Sequence, residues 1–402
     1  MNRPVRVVRI LAVFILIALS ITCSANSRAA AQPGQVSRPW APIILKPTDL
    51  PGLTGAPANQ IAVWASTSGG LHPILSQIDR VTGEGYVGAE TGVFEGSDEL
   101  VFMAGDMGSG ASRIPPGAQV WYEVTVSDPL DPTAQGIAYV ARMKQPVTPP
   151  SEFYVRYNAA AHLIAAQSYS VAFDGAHPII TSLKLAGSDT NWLDRSKARV
   201  LTNVCFTTCL TFDEEQLPLP AVQPVVNGPV RVVLGHGGGF AYRDWLTLGT
   251  DVSLAGLDLQ LNQLRLSYDF APAAAGATYR DANTPDGVPI DGTPDDVPAL
   301  PYSPWRQVDL PAGRLLTYYR DEKTPEPSDT GDKQSYGDNG IAVDEPSDPL
   351  HVDAALWLSP AGAGADGATL SAQATHPLDV NIRVVQLGVL YLPLLSRAYV
   401  SP

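Results

Sequence analysis

Apolar and polar residues alternate along several short stretches of the chain, in the period-two pattern of half-buried antiparallel strands. The clearest stretch is 119–126, where every second residue from Val120 onward is apolar and Glu123 falls on the opposite face. Comparable stretches predict further strands at residues 60–65, 73–79, 99–104, 137–143, 153–157, 169–173, 179–185, 222–226, 230–234, 314–320, 353–358 and 379–392. The pattern predicts an all-β fold.

The stretch 257–270 alternates throughout but changes phase in its middle. Leucines take the odd positions up to Leu261, and apolar residues take the even positions from Leu264 onward. An extra residue at Asn262 or Gln263 accounts for this change, and a β-bulge inserts such a residue while both halves of the strand keep facing the core. We therefore predict one long strand with a bulge at this point.

Composition fits strands joined by many turns. The 402 residues include 35 glycines and 36 prolines, and charged residues make up only 16%, which leaves little sequence for long Glu- and Lys-rich helices. No stretch has a convincing amphipathic helix pattern, and the best candidate for a short helix is the alanine-rich stretch 158–167. The predicted fold class is an antiparallel β-sandwich, extended or two-lobed, with long acidic loops.

A proline-rich segment at 145–151 divides the chain. Because proline has no backbone N–H to donate to a neighbouring strand, we expect a linker or a crossover there and not a strand. Two acidic segments, 281–297 and 321–348, are long for connections in a compact domain. The predicted division is a leader at 1–31, an extended arm at 32–58, a β-rich lobe at 59–144, a larger β-sandwich lobe at 152–392 and a tail at 393–402.

Residues 1–31 have the parts of a secretory signal peptide: a basic start, an apolar run and small residues before a cleavage point after Ala31. The apolar run at 10–21 is too short for a permanent membrane helix. Cys23 follows it and keeps lipid anchoring open as an alternative, although the residues before it resemble a lipobox poorly. We expect a secreted or cell-surface protein with no membrane span after processing.

Loss of the leader removes four arginines and no acid, which takes the formal net charge from −14 to −18. A chain this acidic repels phosphate backbones and anionic lipid, which argues against nucleic acid and membrane surfaces as partners. It suits cations, neutral glycans or a solvated exterior. We expect an extracellular glycan or an envelope component as the partner.

Cys205 and Cys209 remain after the leader, inside the strand-like stretch 204–212. Their spacing can place them opposite each other across a tight hairpin, and an oxidising compartment favours a bond between them. A zinc site would need two further ligands, and the spacing is not that of a Cys-x-x-Cys redox pair. We predict a Cys205–Cys209 disulfide.

Asp291, Asp295 and Asp296 form the densest acidic cluster of the chain. Calcium takes carboxylate and carbonyl oxygens as ligands, so these three residues are the candidate calcium site. The cluster lacks the spacing and the terminal glutamate of an EF-hand loop, and a solvated acidic turn is the alternative. We expect no other cofactor.

The segment from His236 to Gly239 is similar to the oxyanion-hole motif of lipases and esterases. That chemistry also needs a Gly-x-Ser-x-Gly elbow on an α/β fold, and the sequence has neither, so the glycines predict a hairpin turn. Paired carboxylates are the other candidate chemistry; they are Asp98, Glu99, Asp106, Asp213, Glu214 and Glu215. Seven tryptophans are candidates for a sugar platform or for core packing: Trp40, Trp64, Trp121, Trp192, Trp245, Trp305 and Trp357.

Two patterns resemble those of known proteins. The sequence SQID at 76–79, followed by DELVFMA at 98–104, resembles a pattern in exported bacterial proteins of unassigned function, some of them associated with polysaccharide breakdown. The segment 391–399, which begins YLPLL, is similar to the ending of many surface proteins of certain filamentous bacteria. The resemblance implies a secreted β-sandwich with a surface-retention tail, and no particular activity. A last strand at 384–392 that runs into a short tail is the alternative for this ending.

No motif names a reaction, so we expect a non-enzymatic secreted or surface protein with a structural, adhesive or glycan-contacting role. The alternative is a carbohydrate-active enzyme, a polysaccharide lyase or glycosidase, that uses carboxylates in a cleft between sheets. A third is a module that binds a small ligand or haem. A sheet face or cleft that brings carboxylates together beside a tryptophan or tyrosine favours the enzyme.

Overall fold

The structure is a computed structural model of the chain. It describes residues 36–89, 92–111, 113, 115–205, 209–217, 221–235, 239–252, 261–298, 303–320, 333–337, 340–345, 350–360 and 365–385. The predicted leader at 1–31, with Cys23, and the predicted tail at 393–402 lie outside the described residues. Within the described ranges, no helix combines the length and the hydropathy needed to cross a bilayer.

The described residues form antiparallel sheets and one α-helix, which confirms the predicted all-β fold class. The smaller of two lobes contains β1 (Pro42–Leu45), β2 (Ile61–Thr67), β3 (Gly70–Pro73), β4 (Ser76–Thr82), β5 (Gly85–Ala89), β6 (Glu99–Met103), β7 (Ala118–Asp128), β8 (Asp131–Met143) and β27 (Asp379–Val384). The helix α1 (Gly367–Ala374) packs against the larger lobe, and its last turn contacts the smaller one.

The first strands of the larger lobe are β9 (Val155–Asn158), β10 (Leu163–Ala166), β11 (Tyr169–Phe173), β12 (Ile180–Leu185), β13 (Leu193–Cys205), β14 (Cys209–Phe212), β15 (Pro224–Asn227), β16 (Val232–Leu234) and β17 (Phe240–Ala241). They are followed by β18 (Trp245–Val252), β19 (Leu261–Phe270), β20 (Thr278–Asp281), β21 (Val288–Pro289), β22 (Trp305–Leu310), β23 (Gly313–Arg320), β24 (Lys333–Gly337), β25 (Gly340–Glu345) and β26 (Leu350–Pro360).

Two sheets face each other in the smaller lobe, with strand orders β1-β6-β4-β5 and β27-β7-β8-β2-β3. Their inner faces share one apolar core. In β7, Tyr122, Val124 and Val126 are at most 2% exposed, as their alternation predicts. Strand β6 is buried on both faces, because Val101 and Met103 on its outer face pack against the larger lobe.

In the larger lobe, a nine-stranded sheet packs against two smaller sheets. Its strand order is β15-β16-β17-β18-β26-β23-β22-β20-β21, and the other two sheets are β12-β11-β10-β9 and β14-β13-β19-β25-β24. All three contribute to one core, with Leu358, Val171 and Val200 as fully buried examples. The lobe is therefore a sandwich with a single apolar interior.

The predicted bulge in the long strand is confirmed. Where β13 pairs with β19, Leu201 is opposite Gln263 and Thr202 is opposite Leu261, so Asn262 is the extra residue. After this point Leu266, Tyr268 and Phe270 are buried, as the change of phase predicts.

The predicted helix at 158–167 is wrong. The chain instead leaves β9, makes a 3₁₀ turn over Ala159–Ala161 and enters β10. The Asn158 side chain accepts two backbone N–H groups of that turn, and His162 takes a left-handed conformation with φ 45° and ψ 45°. This turn chemistry makes a hairpin and outweighs the helix propensity of alanine.

The predicted acidic loop at 321–348 is wrong for the part that the structure describes. Strands β24 and β25 form a hairpin there, and β25 pairs with β19. Ile341 is 1% exposed, so burial of an apolar side chain draws this acidic segment into the sheet. The segment 281–297 does connect strands, with the two-residue β21 inside it.

The chain returns to the smaller lobe once the larger one is complete. Strand β27 pairs with β7 at the edge of a sheet, and β1 pairs with β6. The sequence-based division places 379–392 in the larger lobe and 32–58 in a separate arm. In the structure, both ends of the described chain lie in the smaller lobe, and the larger lobe is inserted between them.

Arg38 ties the returning segment to the first described residues. Its side chain donates to both carboxylate oxygens of Asp128, at 2.6 and 2.8 Å. It also donates to the backbone carbonyls of Gln373 and His376, at 2.8 and 2.6 Å. A cation at the last turn of α1 satisfies carbonyls that the helix leaves free.

Candidate functional site

A buried ionic cluster joins the two lobes; we call Gln77, Asp79, Glu99 and Arg231 the junction cluster. Asp79 and Glu99 are opposite each other where β4 pairs with β6, so the sheet presents both carboxylates to one guanidinium. The Arg231 side chain, 1% exposed, lies 2.7 Å from Asp79 Oδ2 and 2.6 Å from Glu99 Oε2. Charge-assisted hydrogen bonds of this length are among the strongest in proteins.

Gln77 binds the backbone of the larger lobe. Its Oε1 accepts the N–H groups of Val230 and Arg231 at 2.7 and 2.9 Å, and its Nε2 donates to the Arg231 carbonyl and to Asp79. A Cβ at Gly228 would lie 2.3 Å from the Gln77 side chain, so only glycine allows this approach. The sequence pattern that contains Gln77 therefore docks one lobe onto the other.

Aromatic rings enclose the Arg231 guanidinium. Its Cζ lies 5.1 Å from the ring centroid of Tyr86 and 5.2 Å from that of Phe240, within the range of cation–π attraction. The Tyr86 hydroxyl donates to Glu99 at 2.8 Å. Burial, together with the neighbouring Glu99 carboxylate, raises the pKa of Tyr86, so the hydroxyl keeps its proton and remains a donor at physiological pH.

Beside the junction cluster lies a half-exposed surface, which we call the seam patch. The smaller lobe contributes Trp40, just before β1, and Asp106, in the turn after β6. The larger lobe contributes Tyr154, Arg243, Asp244, Trp245 and Trp357. Each of the seven has intermediate exposure, so each has atoms in contact with solvent and atoms packed against the protein.

Three tryptophans of the seam patch contact one another. Trp245 and Trp357 are opposite each other where β18 pairs with β26, and their rings stack with centroids 4.9 Å apart. Trp40 packs edge-on against Trp357 at 4.3 Å, and its carbonyl accepts the Trp245 indole N–H at 3.2 Å. Tyr242 stacks on Trp245 at 4.5 Å and lies 3.4 Å from Arg231, which links the patch to the junction cluster.

Charged side chains complete the seam patch. The Tyr154 hydroxyl donates to Asp106 Oδ1, and the Arg243 guanidinium lies 5.5 Å from the Tyr154 ring centroid. Arg243 donates to Asp244 at 2.7 Å, and Asp244 also accepts the hydroxyl of Ser168. Burial raises the pKa of Asp106 against the lowering effects of Tyr154 and Arg243. Asp106 Oδ2 is buried and has no hydrogen-bond partner among the described residues.

The glycine-rich motif lies beside a cleft of the larger lobe. Strands β16 and β17, which flank it, pair as a hairpin, and the Leu234 N–H donates to the Gly239 carbonyl at 2.8 Å. A Cβ at Gly239 would lie 2.5 Å from the Thr247 carbonyl, which explains a glycine at this close approach. Residues 236–238 themselves lie outside the described residues.

The predicted calcium residues lie in the loop after β21. Asp291 and Asp296 are exposed and Asp295 is half-buried. Asp291 accepts the N–H of Thr293 at 2.8 Å, as in an Asx turn. Within the described ranges, no three His, Cys, Asp or Glu side chains are arranged to hold a metal ion. Calcium binding at Asp291, Asp295 and Asp296 therefore stays a prediction.

The predicted disulfide is at the end of the hairpin formed by β13 and β14. Backbone pairing places Cys205 opposite Cys209. The side chains of both lie outside the described part of the chain, so the disulfide stays a prediction.

The structure brings together candidates that the sequence left scattered. Trp40, Trp245, Trp357 and Asp106 meet in the seam patch, whereas Glu99 belongs to the junction cluster and Glu214 to the cleft. Sequence reasoning missed Tyr154, Arg243 and Asp244, because the seven residues of the patch come from five separate stretches of the chain. No protein-family model matches the chain, and no curated protein matches it.

Proposed function

We propose that this is a secreted or cell-surface protein that contacts glycans through the seam patch without chemical turnover. The observation that supports the proposal is the group of three half-exposed tryptophans beside Asp106, Tyr154, Arg243 and Asp244, at the junction of two lobes. Ligand sites occur preferentially at such junctions.

The patch has the chemistry that a pyranose ring needs. A sugar ring presents C–H groups on its faces and hydroxyls around its edge. Indole rings bury a large apolar area, while carboxylates and a guanidinium form charge-assisted hydrogen bonds with hydroxyls. The side chains of Arg243 and Asp244, which are 22% and 23% exposed, are the charged groups that such a hydroxyl can reach.

The junction cluster supports the same function, because it holds the two halves of the patch in one arrangement. Trp40 and Asp106 belong to one lobe and the other five residues to the second, so relative motion of the lobes would separate them. A preorganised site loses less conformational entropy on binding. A surface protein that holds an extended glycan gains affinity from this rigidity.

A carbohydrate-active enzyme is the second candidate. The patch holds two carboxylates beside a tyrosine, and burial raises the pKa of Asp106, as it does for a general acid in glycoside hydrolysis. Under this alternative, Asp106 protonates the leaving oxygen and Asp244 is the second carboxylate.

A polysaccharide panel tests both candidates. The purified protein is assayed for binding and for release of reducing or unsaturated sugar, with Trp40→Ala and Trp357→Ala as patch variants. Trp64→Ala is the matched control, because Trp64 is also half-buried but lies on another face. We expect binding without release, lost in both patch variants and kept in the control.

Absence of binding to every polysaccharide, or equal binding by folded patch variants, contradicts the proposal. Sugar release that disappears in Asp106→Asn establishes the enzyme instead.

A further inference from the structure

A second candidate site lies inside the larger lobe, in the cleft beside Gly235 and Gly239. The cleft opens between β13 and β19 on one side and β16 to β18 on the other. Most of its lining is apolar, and Ile179, Val222, Leu234 and Leu266 are examples. Its polar lining comes from Ser196, Lys197, Glu214 and Ser267. An apolar cleft with a few polar groups is the usual form of a small-molecule site.

Glu214 is a buried carboxylate with weak partners. The residue is 4% exposed. Among the described residues, it accepts the Ala198 N–H at 3.3 Å and lies 3.4 Å from the Arg195 guanidinium. Both distances are at the long end of the hydrogen-bond range, and Arg195 lies closer to Glu215, at 2.7 Å. A buried charge is costly unless it is well paired, so Glu214 has capacity to bind a cation.

The other charge in the lining is already compensated. Lys197 forms an ion pair with Asp269. An anionic ligand would therefore compete with Asp269 and would meet Glu214 at the same time. The charge arrangement favours a cation.

Size limits the ligand further. The interior of the cleft measures about 60 Å³, which gives room for a compact head group with its chain along the apolar walls.

We propose that the cleft binds a primary ammonium group carried on a short apolar chain. The ammonium donates to the Glu214 carboxylate, and the chain packs against Leu234 and Leu266. This site is separate from the seam patch and does not depend on glycan binding.

Titration calorimetry with n-butylammonium chloride tests the proposal, with n-butanol and sodium butyrate as matched probes. We expect saturable binding of butylammonium alone. Glu214→Gln removes the charge with little change of shape and should weaken binding by at least about tenfold, the loss of one charge-assisted hydrogen bond. Asp189→Asn is the matched control, because it removes an exposed carboxylate of the same lobe that does not line the cleft, and should bind as the wild type does.

Leu248→Phe keeps the test decisive if Glu214→Gln does not fold. Leu248 lines the cleft and is only partly buried, so the larger ring narrows the cleft without removing the carboxylate, and we expect weaker butylammonium binding in a folded protein. Unchanged binding in folded Leu248→Phe or Glu214→Gln overturns the proposal. Wild-type protein that binds no butylammonium, or binds butanol or butyrate equally well, overturns it too.

Discussion

At the scale of single residues, buried arginines hold distant parts of the chain together. Arg231 meets Asp79 across 152 positions of sequence, and Arg38 meets Gln373 across 335. The pattern at 76–104 directs attention to Gln77, Asp79 and Glu99 from sequence alone. Their partner could not be predicted, because nothing in the sequence around Arg231 distinguishes it from a surface arginine.

Arg231→Met should destabilise the protein by about 3–5 kcal/mol, because the substitution leaves Asp79 and Glu99 buried without their counter-charge. Urea unfolding followed by tryptophan fluorescence measures the change. Arg383→Ala is the control: it breaks an ion pair with Glu123 whose arginine is 68% exposed, and solvent screening makes such a pair nearly neutral for stability. Equal stability of wild type and Arg231→Met contradicts the role given to the junction cluster.

Asp106→Asn should stabilise the protein at neutral pH. The pKa of Asp106 is raised in the folded state, so the folded protein binds this proton more readily than the unfolded chain. The contribution of Asp106 to stability is therefore fully present below its ordinary pKa of 3.8 and is lost as pH rises through the raised value. An asparagine carries no charge, so the variant avoids this loss of stability. We expect a gain of about 1 kcal/mol, the usual scale for a buried polar group without a hydrogen bond.

Unfolding free energies of wild type and Asp106→Asn, measured at pH 7 and near pH 4, check this sign. The difference should shrink on acidification. A variant that is less stable than wild type at pH 7 contradicts the argument.

At the scale of elements, alternation predicted strands well and turn chemistry decided the rest. The phase change at Asn262 was sufficient to predict the bulge, because side-chain period is a strict constraint once one face is buried. The alanines at 158–167 gave the wrong answer, since Asn158 and His162 determine the turn. Helix α1 carried a usable start signal, because the Asp366 side chain accepts the Thr369 N–H as an N-cap.

Arg38 joins the last turn of α1, which leads into β27, to Asp128 of the smaller lobe. Both Arg38 and Asp128 are at most 2% exposed, so Arg38→Met should cost about 3–5 kcal/mol by leaving Asp128 buried and unpaired. Burial pushes the pKa of Asp128 up, but hydrogen bonds from Arg38, Ser37 and Leu130 hold it below 3.8. Stability from this pair is therefore present above pH 3.8 and is lost as pH falls through the lowered pKa.

Urea unfolding at pH 7 and near pH 2 measures this effect, and the gap between wild type and Arg38→Met should close at the acidic end. A constant gap contradicts the assignment of the effect to the ionised Asp128.

At the scale of the whole molecule, one lobe is inserted into the other, and their junction creates the seam patch. The sequence predicted a β-sandwich, extended or two-lobed, with a linker or a crossover at 145–151, but it could not predict that both ends of the described chain share a lobe. It named the tryptophans and Asp106 as candidates. Which of them meet depends on how Arg231 and Gln77 dock the lobes, and that is a tertiary property.

The most direct test of this account is hydroxyl-radical footprinting with mass spectrometry, using a saturating oligosaccharide from whichever polysaccharide the panel identifies. The account predicts protection of Trp40, Trp245 and Trp357 together, with Trp64 labelled equally in the free and bound protein. Protection of Trp64 alone, or unchanged labelling of the three seam-patch tryptophans in the saturated protein, contradicts it.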